Sequence, residues 1–275
     1  MKLIDGKALA AEMRAELKEK IDAMPQKPGL AVVIVGEDPA SKIYVRNKIR
    51  ACQELGIRSY SYELPENSTQ NDVETLLDEL AADDKINGIL LQLPLPKHLD
   101  SESAMGHVPV EKDVDGFSAK NLGLLLQHKE KIVACTPFGV MKMLERYGVE
   151  ISGKRAVVLG RSETVGKPMA MLLLNANATV TICHSKTQNL KEICKEADIL
   201  VSAIGKANFV TADMVKEGAV VIDVGMNRDE NGKLCGDVDF ENVKDKTSLI
   251  TPVPGGVGPM TITILMYNTY LASKE

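Results

Sequence analysis

The hydrophobic positions in the first half of the chain alternate between two spacings. Residues 29–36 (GLAVVIVG) form a continuous run dominated by Val and Ile, which is typical of a buried parallel strand. Over residues 40–55 the apolar positions recur at helical spacing, and Gly56 is a natural residue to end that helix. The remaining predictions for this half are an N-terminal helix, a strand at 57–64, a helix at 70–82, a proline-interrupted strand at 87–96 and an irregular stretch at 94–117.

The second half repeats this alternation more regularly. A helix at 137–147, followed by Gly148, leads into it. Further strands are predicted at 154–160, 178–185, 197–205, 218–225 and within 248–258, and further helices at 166–176, 188–197 and 259–273, with a short one before 218. Strands that alternate with helices in this way indicate open parallel sheets.

The pattern therefore predicts an α/β protein of two domains. The N-terminal α/β domain is expected over 1–138, and a Rossmann-type domain over 139–258. The last helix, within 259–275, follows no strand of its own, so we expect it to pack back on the first domain.

Composition and charge exclude several classes of protein. Of 275 residues, 44% are hydrophobic, which is enough for a substantial core. The 33 basic and 38 acidic residues are spread without blocks, and the net charge is −5. This distribution argues against binding to nucleic acid or to an anionic membrane surface. No apolar run approaches the roughly 18 residues that a membrane span requires.

The cysteines and histidines predict neither disulfides nor a metal site. The five cysteines are widely separated, odd in number and never arranged as C-x-x-C, and the four histidines lack the spacing of metal ligands. A reduced, cytoplasmic protein without a metal is the simplest interpretation.

Residues 40–50 (ASKIYVRNKIR) raise the first question of chemistry. Beside the apolar stripe of this helix, Tyr44 and Lys48 lie one turn apart and can serve one ligand. Gln92 is predicted at the carboxyl end of a buried strand, where open α/β sheets bind ligands, and Asp115 lies in a loop beyond it. Taken singly, each residue has a structural alternative, such as a solvated lysine or an Asx turn.

The strongest local motif is VVLGRSETVGKP, residues 157–168. It follows a predicted strand, opens a helix, and places Gly160, Ser162 and Gly166 where a dinucleotide fingerprint has three small residues. A pyrophosphate would then lie at the helix N-terminus. Because Ser162 replaces the middle glycine, a βα turn without a ligand is the alternative.

The end of the next strand favours NADP over NAD. NAD sites usually have an acidic residue there for the ribose 2′-hydroxyl, whereas this chain has CHSKT at 183–187. Ser185, together with Arg161 from the loop, would suit a 2′-phosphate, and His184 and Lys186 add possible donors.

A second glycine-rich segment, TPVPGGVGPMT, occupies 251–261. It can be a simple turn before a helix that starts at Pro259. Alternatively, residues 254–258 let the backbone approach a flat ligand closely.

Nine segments together resemble one enzyme family. They occur in the order PASKIYVRNK, GILLQLPLP, KDVDGF, CTPFGV, GRSETVGKP, ATVTICHSKT, GAVVIDVG, GDVDF and TPVPGGVGPMT. The chain is similar in these strings to the bifunctional methylenetetrahydrofolate dehydrogenase/cyclohydrolases. Its departures are Ala134 and Ala207, where relatives usually have Pro, and Thr164 for a common Ile. Every candidate catalytic side chain is present.

This resemblance implies two consecutive reactions. NADP+ takes hydride from 5,10-methylenetetrahydrofolate, and water then opens the 5,10-methenyl cation to 10-formyltetrahydrofolate. It also implies two α/β domains with a folate cleft between them, a homodimer formed through the cofactor domains, and folate binding and catalysis in the first domain. The implied folate-binding and catalytic residues are Tyr44, Lys48, Leu91, Gln92, Leu93, Asp115, Pro254, Gly255, Gly256, Val257 and Gly258. The implied cofactor residues are Gly160, Arg161, Ser162, Gly166, Ser185 and Met226.

The chemistry gives Lys48 a specific role within that resemblance. Two nitrogens flank the carbon that loses hydride and stabilise the cation, so the first step needs positioning more than a base. Hydration requires protons to move. A lysine is ordinarily charged at neutral pH, so a base role requires burial and the cationic substrate to favour its neutral form. We expect Gln92 to orient Lys48, Asp115 to hold the N–H donors of the pterin ring, and Tyr44 to pack against the folate.

Three other functions compete with this interpretation. The nearest is a monofunctional methylenetetrahydrofolate dehydrogenase, linked to NADP or to NAD, which would not need Lys48 for a second activity. An amino-acid or malate dehydrogenase of similar plan would have no use for the Tyr44/Lys48 pair. A redox-sensing NADP-binding regulator is a third class, but no basic recognition helix is evident.

Overall fold

The structure is a computed structural model that describes residues 2–274, except for the side chain of Ala40. Its residues divide into two compact units. One unit, called here the cofactor unit, comprises residues 2–11 and 136–261. The other, called the catalytic unit, comprises 12–135 and 262–274.

The strands and helices follow the alternation that the sequence predicts. In chain order they are β1 (Lys2–Leu3), α1 (Gly6–Asp22), β2 (Gly29–Val35), α2 (Pro39–Leu55), β3 (Arg58–Leu64), α3 (Gln70–Ala82), β4 (Gly88–Leu91), α4 (Ser101–Gly106), α5 (Ala119–Leu126), α6 (Cys135–Arg146), β5 (Arg155–Leu159), α7 (Gly166–Asn175), β6 (Thr179–Cys183), α8 (Leu190–Lys195), β7 (Ile199–Ser202), β8 (Val220–Asp223), β9 (Asn227–Arg228), β10 (Leu234–Cys235), α9 (Phe240–Val243), β11 (Leu249–Ile250) and α10 (Val257–Ala272). Two 3₁₀ turns, Ala212–Met214 and Lys244–Lys246, complete the list.

The catalytic unit contains a parallel sheet of three strands in the order β3-β2-β4. All seven residues of β2 are buried, which explains its uninterrupted apolar sequence. Val33 and Val35 of this strand belong to a core cluster that also contains Val73 and Leu77 of α3. Because β3 and β4 flank β2 on opposite sides, the carboxyl ends of β2 and β4 form a topological switch point.

Local signals set the ends of the helices in this unit. Asp38 accepts a hydrogen bond from the Ser41 amide at 2.7 Å at the start of α2, and Gly56 ends α2 in the left-handed region with φ of 76°. Thr69 and Asp72 form a reciprocal capping box at the start of α3. Such bonds are local in sequence, so the helices predicted at 40–55 and 70–82 match the structure closely.

The cofactor unit contains a six-stranded parallel sheet in the order β1-β11-β8-β7-β5-β6. Strand β5 lies between β6 and β7, so the loop that follows β5 is at the switch point of this sheet. An antiparallel pair, β9 and β10, forms a separate small hairpin. The core of the unit includes Leu159, Leu200 and Val221 from three adjacent strands.

Residues 2–11 lie in the cofactor unit, although the sequence pattern placed residues 1–138 together. The reason is that β1 pairs in parallel with β11, with Lys2 opposite Leu249. Within the stretch predicted as irregular, the structure has the short helix α4, and α5 follows it. The last helix begins at Val257, two residues before the predicted start at Pro259, and its residues 262–272 belong to the catalytic unit.

Among residues 2–274 the structure has no helix that is both long enough and apolar enough to span a membrane.

Candidate active site

Lys48 and Gln92 meet at the switch point of the catalytic unit. The Lys48 Nζ donates to Gln92 Oε1 at 3.1 Å, and both side chains are partly buried. The Gln92 amide donates to the Val33 carbonyl at 2.8 Å, which ties the residue to the end of β2. Its side-chain Nε2 donates to Leu93 O at 2.6 Å, so Oε1 is turned toward the ammonium. The structure thus brings these two predicted residues together.

Tyr44 lies one helical turn before Lys48 on α2 and is 40% exposed. Val45 and Cys52, two of the apolar residues at helical spacing on α2, are buried, while a third, Ile49, is half-buried. Tyr44 and Lys48 therefore lie at the margin of the packed face of α2, where an aromatic ring is available to a ligand.

Asp115 is half-buried and lies within electrostatic reach of Lys48. Burial raises the pKa of the Asp115 carboxyl, and the charge on Lys48 acts in the opposite direction. The negative charge of Asp113 adds to the upward shift of this pKa. The side chains of Lys48, Gln92 and Asp115 thus form one polar cluster in the catalytic unit.

The loop that carries Asp115 is organised by Asp113, which the sequence interpretation did not single out. Asp113 is fully buried, and its carboxylate accepts hydrogen bonds from the Gly116 amide at 3.0 Å and the Ser118 amide at 2.8 Å. It also accepts from Asn121 Nδ2 at 2.9 Å. The D-x-D-G spacing was a usable signal, because Asp favours such turns. Deciding which aspartate is structural required the fold.

Asn268 of α10 also supports this loop, and no local sequence signal indicated it. Its Nδ2 donates to the carbonyls of Val114 and Val133, both at 2.9 Å. The Cys135 thiol donates to the same Val114 carbonyl at 3.3 Å. The backbone just before Asp115 is therefore fixed by residues that are 21 and 154 positions away.

In the cofactor unit, the loop after β5 has the geometry of a dinucleotide turn. Gly160 has φ of 111°, and a Cβ on it would overlap the Ala203 carbonyl oxygen. A Cβ on Gly166 would overlap the Gly160 carbonyl oxygen, so the start of α7 packs directly on the turn. Ser162 Oγ accepts from the amides of Val165 and Gly166, each at 3.2 Å. Ser162 thus caps part of the helix N-terminus that the sequence interpretation left free for pyrophosphate.

Arg161 and Ser185 occupy the same edge of the sheet. The Gly160 amide donates to the Cys183 carbonyl at 2.9 Å, which joins the ends of β5 and β6 just where these residues begin their loops. Both side chains are exposed, and within residues 2–274 no acidic group pairs with the Arg161 guanidinium. Residues 184–187 form a tight turn, in which the His184 amide donates to Thr187 Oγ1 at 2.8 Å.

Met226 and the second glycine segment also belong to this unit. Met226 is 51% exposed, and a Cβ on Gly258 would lie 3.6 Å from its Cε. The Val253–Pro254 peptide is cis, Gly255 has φ of 105°, and Gly256 is buried. Gly256 also packs against Gly6, where a Cβ would overlap the Gly256 carbonyl oxygen. Residues 254–258 thus form a close-packed backbone turn at the start of α10.

Comparison with known proteins decides between the candidate families. The model of the tetrahydrofolate dehydrogenase/cyclohydrolase catalytic domain matches residues 4–115, and that of the NAD(P)-binding domain of the same family matches 134–275. The chain belongs to the tetrahydrofolate dehydrogenase/cyclohydrolase family. This confirms the predicted family and the predicted α/β fold of two domains.

Individual members of the family are similar over the full length. The bifunctional protein FolD of Campylobacter curvus is 57% identical, with 100% of this chain and 96% of that protein covered. The crystal structure of the bifunctional FolD from Campylobacter jejuni has a TM-score of 0.98 at 50% identity, covering 100% of this chain and 99% of that chain. The dehydrogenase-cyclohydrolase of Trypanosoma brucei, complexed with NADP cofactor and an inhibitor, has a TM-score of 0.94 at 40% identity, covering 99% and 97%.

Proposed function

We propose that this chain oxidises 5,10-methylenetetrahydrofolate to 5,10-methenyltetrahydrofolate with NADP+ and then hydrolyses the product to 10-formyltetrahydrofolate. Membership of the tetrahydrofolate dehydrogenase/cyclohydrolase family supports both activities. The observation that carries the assignment to residues is the hydrogen bond of 3.1 Å between Lys48 Nζ and Gln92 Oε1, with Asp115 in electrostatic contact.

The catalytic unit binds the folate in this proposal. Asp115 accepts hydrogen bonds from the N–H donors of the pterin ring, and Tyr44 packs against the folate. Leu91 and Leu93 flank Gln92 and give the site apolar walls, Leu91 buried and Leu93 half-buried. Within the cofactor unit, residues 254–258 form a backbone turn that a flat ligand can approach closely.

The cofactor unit fits a dinucleotide with a 2′-phosphate. Gly160 and Gly166 leave no room for side chains in the turn, and the exposed Arg161 and Ser185 supply donors beside residues 183–187, a strand end without an acidic residue. Met226, in the same unit, is 51% exposed. When bound, NADP+ accepts the hydride; the protein's contribution to this step is orientation, since the substrate nitrogens stabilise the cation.

Lys48 acts in the hydration step. In its neutral form, its amine takes a proton from the water that attacks the methenyl carbon. The bond between that carbon and N5 then breaks as N5 gains a proton, which leaves the formyl group on N10. Gln92 Oε1 fixes the direction of Nζ, and Asp115 holds the ring so that this carbon faces the amine.

A single absorbance experiment tests this function. The protein is mixed with 5,10-methylenetetrahydrofolate and NADP+, and absorbance of the methenyl product is followed as it forms and decays. We expect formation with NADP+ and decay faster than the uncatalysed rate. A monofunctional dehydrogenase would leave the decay at the uncatalysed rate, and preference for NAD+ would contradict the cofactor assignment.

We further propose that the protein is a cytoplasmic homodimer without disulfides or a structural metal. All five cysteines are free, and Cys52 and Cys194 lie in cores where burial raises the pKa of each thiol to about 12. Protonated, buried thiols react poorly. Sedimentation should give a dimer, and activity should survive both a chelator and a mild reductant. A monomer, or activity lost with either reagent, would contradict this proposal.

A further inference from the structure

Asp237 of the cofactor unit accepts many hydrogen bonds, although the proposed function gives this residue no role. It is fully buried. One carboxylate oxygen, Oδ2, accepts from Ser202 Oγ at 3.0 Å and from the amides of Ile204 and Gly205 at 2.8 and 3.4 Å. The other, Oδ1, accepts from the Lys206 amide and from Asn227 Nδ2, both at 2.9 Å. Five donors on one carboxylate fix its position.

These donors come from two separate segments at the ligand-binding edge of the sheet. Residues 202–206 end β7 and follow it, and Asn227 begins β9 directly after Met226. The first segment supports the dinucleotide turn, because the Ala203 carbonyl is the atom against which Gly160 packs. Asp237 therefore links the backbone behind Gly160 to the segment that carries Met226.

Asp223 holds Asp237 in place. Its Oδ1 accepts from the amides of Gly225 and Asp237, both at 2.9 Å, and its Oδ2 accepts from the Val238 amide at 2.9 Å. A Cβ on Gly225 would overlap the Asp237 carboxylate, and one on Gly236 would overlap that of Asp223. Glycines at these two positions thus allow the backbone to approach both carboxylates closely. Glycine loses more conformational entropy on folding than other residues, and a simple loop would not require it at these positions.

We propose that Asp237 is a positioning residue for the nicotinamide cofactor. It sets the distance between the turn at Gly160 and the segment that carries Met226. The proposal rests on the proposed function for the identity of the cofactor. Asp237 acts through the residues it binds, which are Ser202, the backbone of 204–206 and Asn227. Its loss should weaken NADP+ binding and leave hydrolysis of supplied methenyltetrahydrofolate intact, since that step uses no cofactor.

The test compares three single variants of the whole chain and one double variant. Asn227→Ala removes one of the five bonds and is the mildest change. Asp237→Asn keeps the shape but leaves one acceptor oxygen for five donors. Asn242→Ala is the matched control, because Asn242 is exposed and donates to Asp239 Oδ2 at 2.7 Å in the same unit. Burial raises the pKa of Asp223 to about 6, so assays at about pH 8 keep its carboxylate ionised.

Each variant is measured by calorimetric titration with NADP+, by the dehydrogenase KM for NADP+, and by cyclohydrolase activity on supplied methenyltetrahydrofolate. For Asn227→Ala we expect Kd and KM for NADP+ to rise about tenfold, the order for a hydrogen bond to a charged group, with cyclohydrolase activity within about twofold of the original. The double variant of Asn227→Ala and Asp237→Asn should bind little worse than Asp237→Asn alone, because both changes remove the same bond.

Two outcomes would contradict the positioning role of Asp237, and a third would contradict only the proposed function. An unchanged Kd for NADP+ in Asn227→Ala would overturn the positioning role. An equal fall of both activities, accompanied by a lower melting temperature, would show a purely structural role and also overturn it. An unmodified protein that binds NADP+ but oxidises no methylenetetrahydrofolate would contradict the proposed function alone, and the change in Kd would still decide the role of Asp237.

Discussion

Replacing Lys48 with Met should reduce the cyclohydrolase rate by roughly 10²–10⁴-fold, the usual contribution of general acid–base catalysis. Methionine keeps an unbranched apolar stem of similar length but cannot move a proton or donate to Gln92 Oε1, which the Lys48 Nζ does at 3.1 Å. The dehydrogenase step should fall less, because hydride transfer needs no proton relay. Methenyltetrahydrofolate should therefore accumulate during turnover, and its absorbance measures the effect after correction for spontaneous hydrolysis.

Lys18→Met provides the control for this variant. Lys18 is an exposed lysine of the catalytic unit, paired with Asp22 at 3.0 Å one turn along α1. Such pairs contribute under about 0.5 kcal/mol, so both activities should be unchanged. If the original protein and Lys48→Met remove methenyltetrahydrofolate at the same rate, and both exceed the uncatalysed rate, Lys48 has no role in hydration.

The same Lys48 variant should change the pH dependence of the dehydrogenase. Burial already raises the pKa of Asp115, and the charge on Lys48 is the first interaction that opposes this shift. Without that charge the carboxyl gains its proton at a higher pH. If the Asp115 carboxylate binds folate, the acidic limb of kcat/KM should then move to higher pH. An acidic limb that stays in place would show that Asp115 and Lys48 are not coupled in the reaction.

Removing the Arg161 guanidinium should weaken NADP+ binding by about 1–3 kcal/mol, or roughly 5–150-fold, while NAD+ binding changes little. Arg161 is exposed at the end of β5, beside the turn of 184–187 that carries Ser185 and lacks an acid. A 2′-phosphate is the feature that distinguishes the two dinucleotides, and guanidinium pairs with it well. Titration of Arg161→Ala with each dinucleotide measures the difference.

Arg155→Ala is the matched control, because Arg155 is an exposed arginine at the opposite end of the same strand, paired with Glu196. Its loss should change neither dissociation constant. Equal use of NAD+ and NADP+ by the unmodified protein, or an equal loss of both in Arg161→Ala, would exclude the proposed role of Arg161.

The sequence alone was sufficient for features that depend on neighbours along the chain. The helix predicted at 70–82 matches α3, because its capping box joins Thr69 to Asp72 only three positions away. Strand β2 was evident because burial on both faces requires an uninterrupted apolar run. The dinucleotide turn was recognisable for the same reason, since the positions that demand glycine, 160 and 166, lie within one loop.

Helices and strands that depend on distant partners were not predictable in this way. The six-residue helix α4 is too short to be stable by itself. Its first residue follows Asp100, whose amide donates to Gln70 Oε1 at 2.8 Å, a contact 30 positions apart in sequence. Strand β1 has only two residues and exists because β11, near the other end of the chain, pairs with it.

The same distinction between local and distant interactions applies to the functional residues. Its chemical groups, Lys48, Gln92, Asp115 and Arg161, could be named from the sequence, because side-chain chemistry and position at strand ends are local properties. The sequence could not show that Asp113 rather than Asp115 is the buried, fully bonded carboxylate, or that Asn268 fixes the Val114 carbonyl from 154 positions away. Nor could it show that Asp237 gathers five donors from two loops. Those assignments depend on which polar groups lose water and find partners, and only the folded chain determines that.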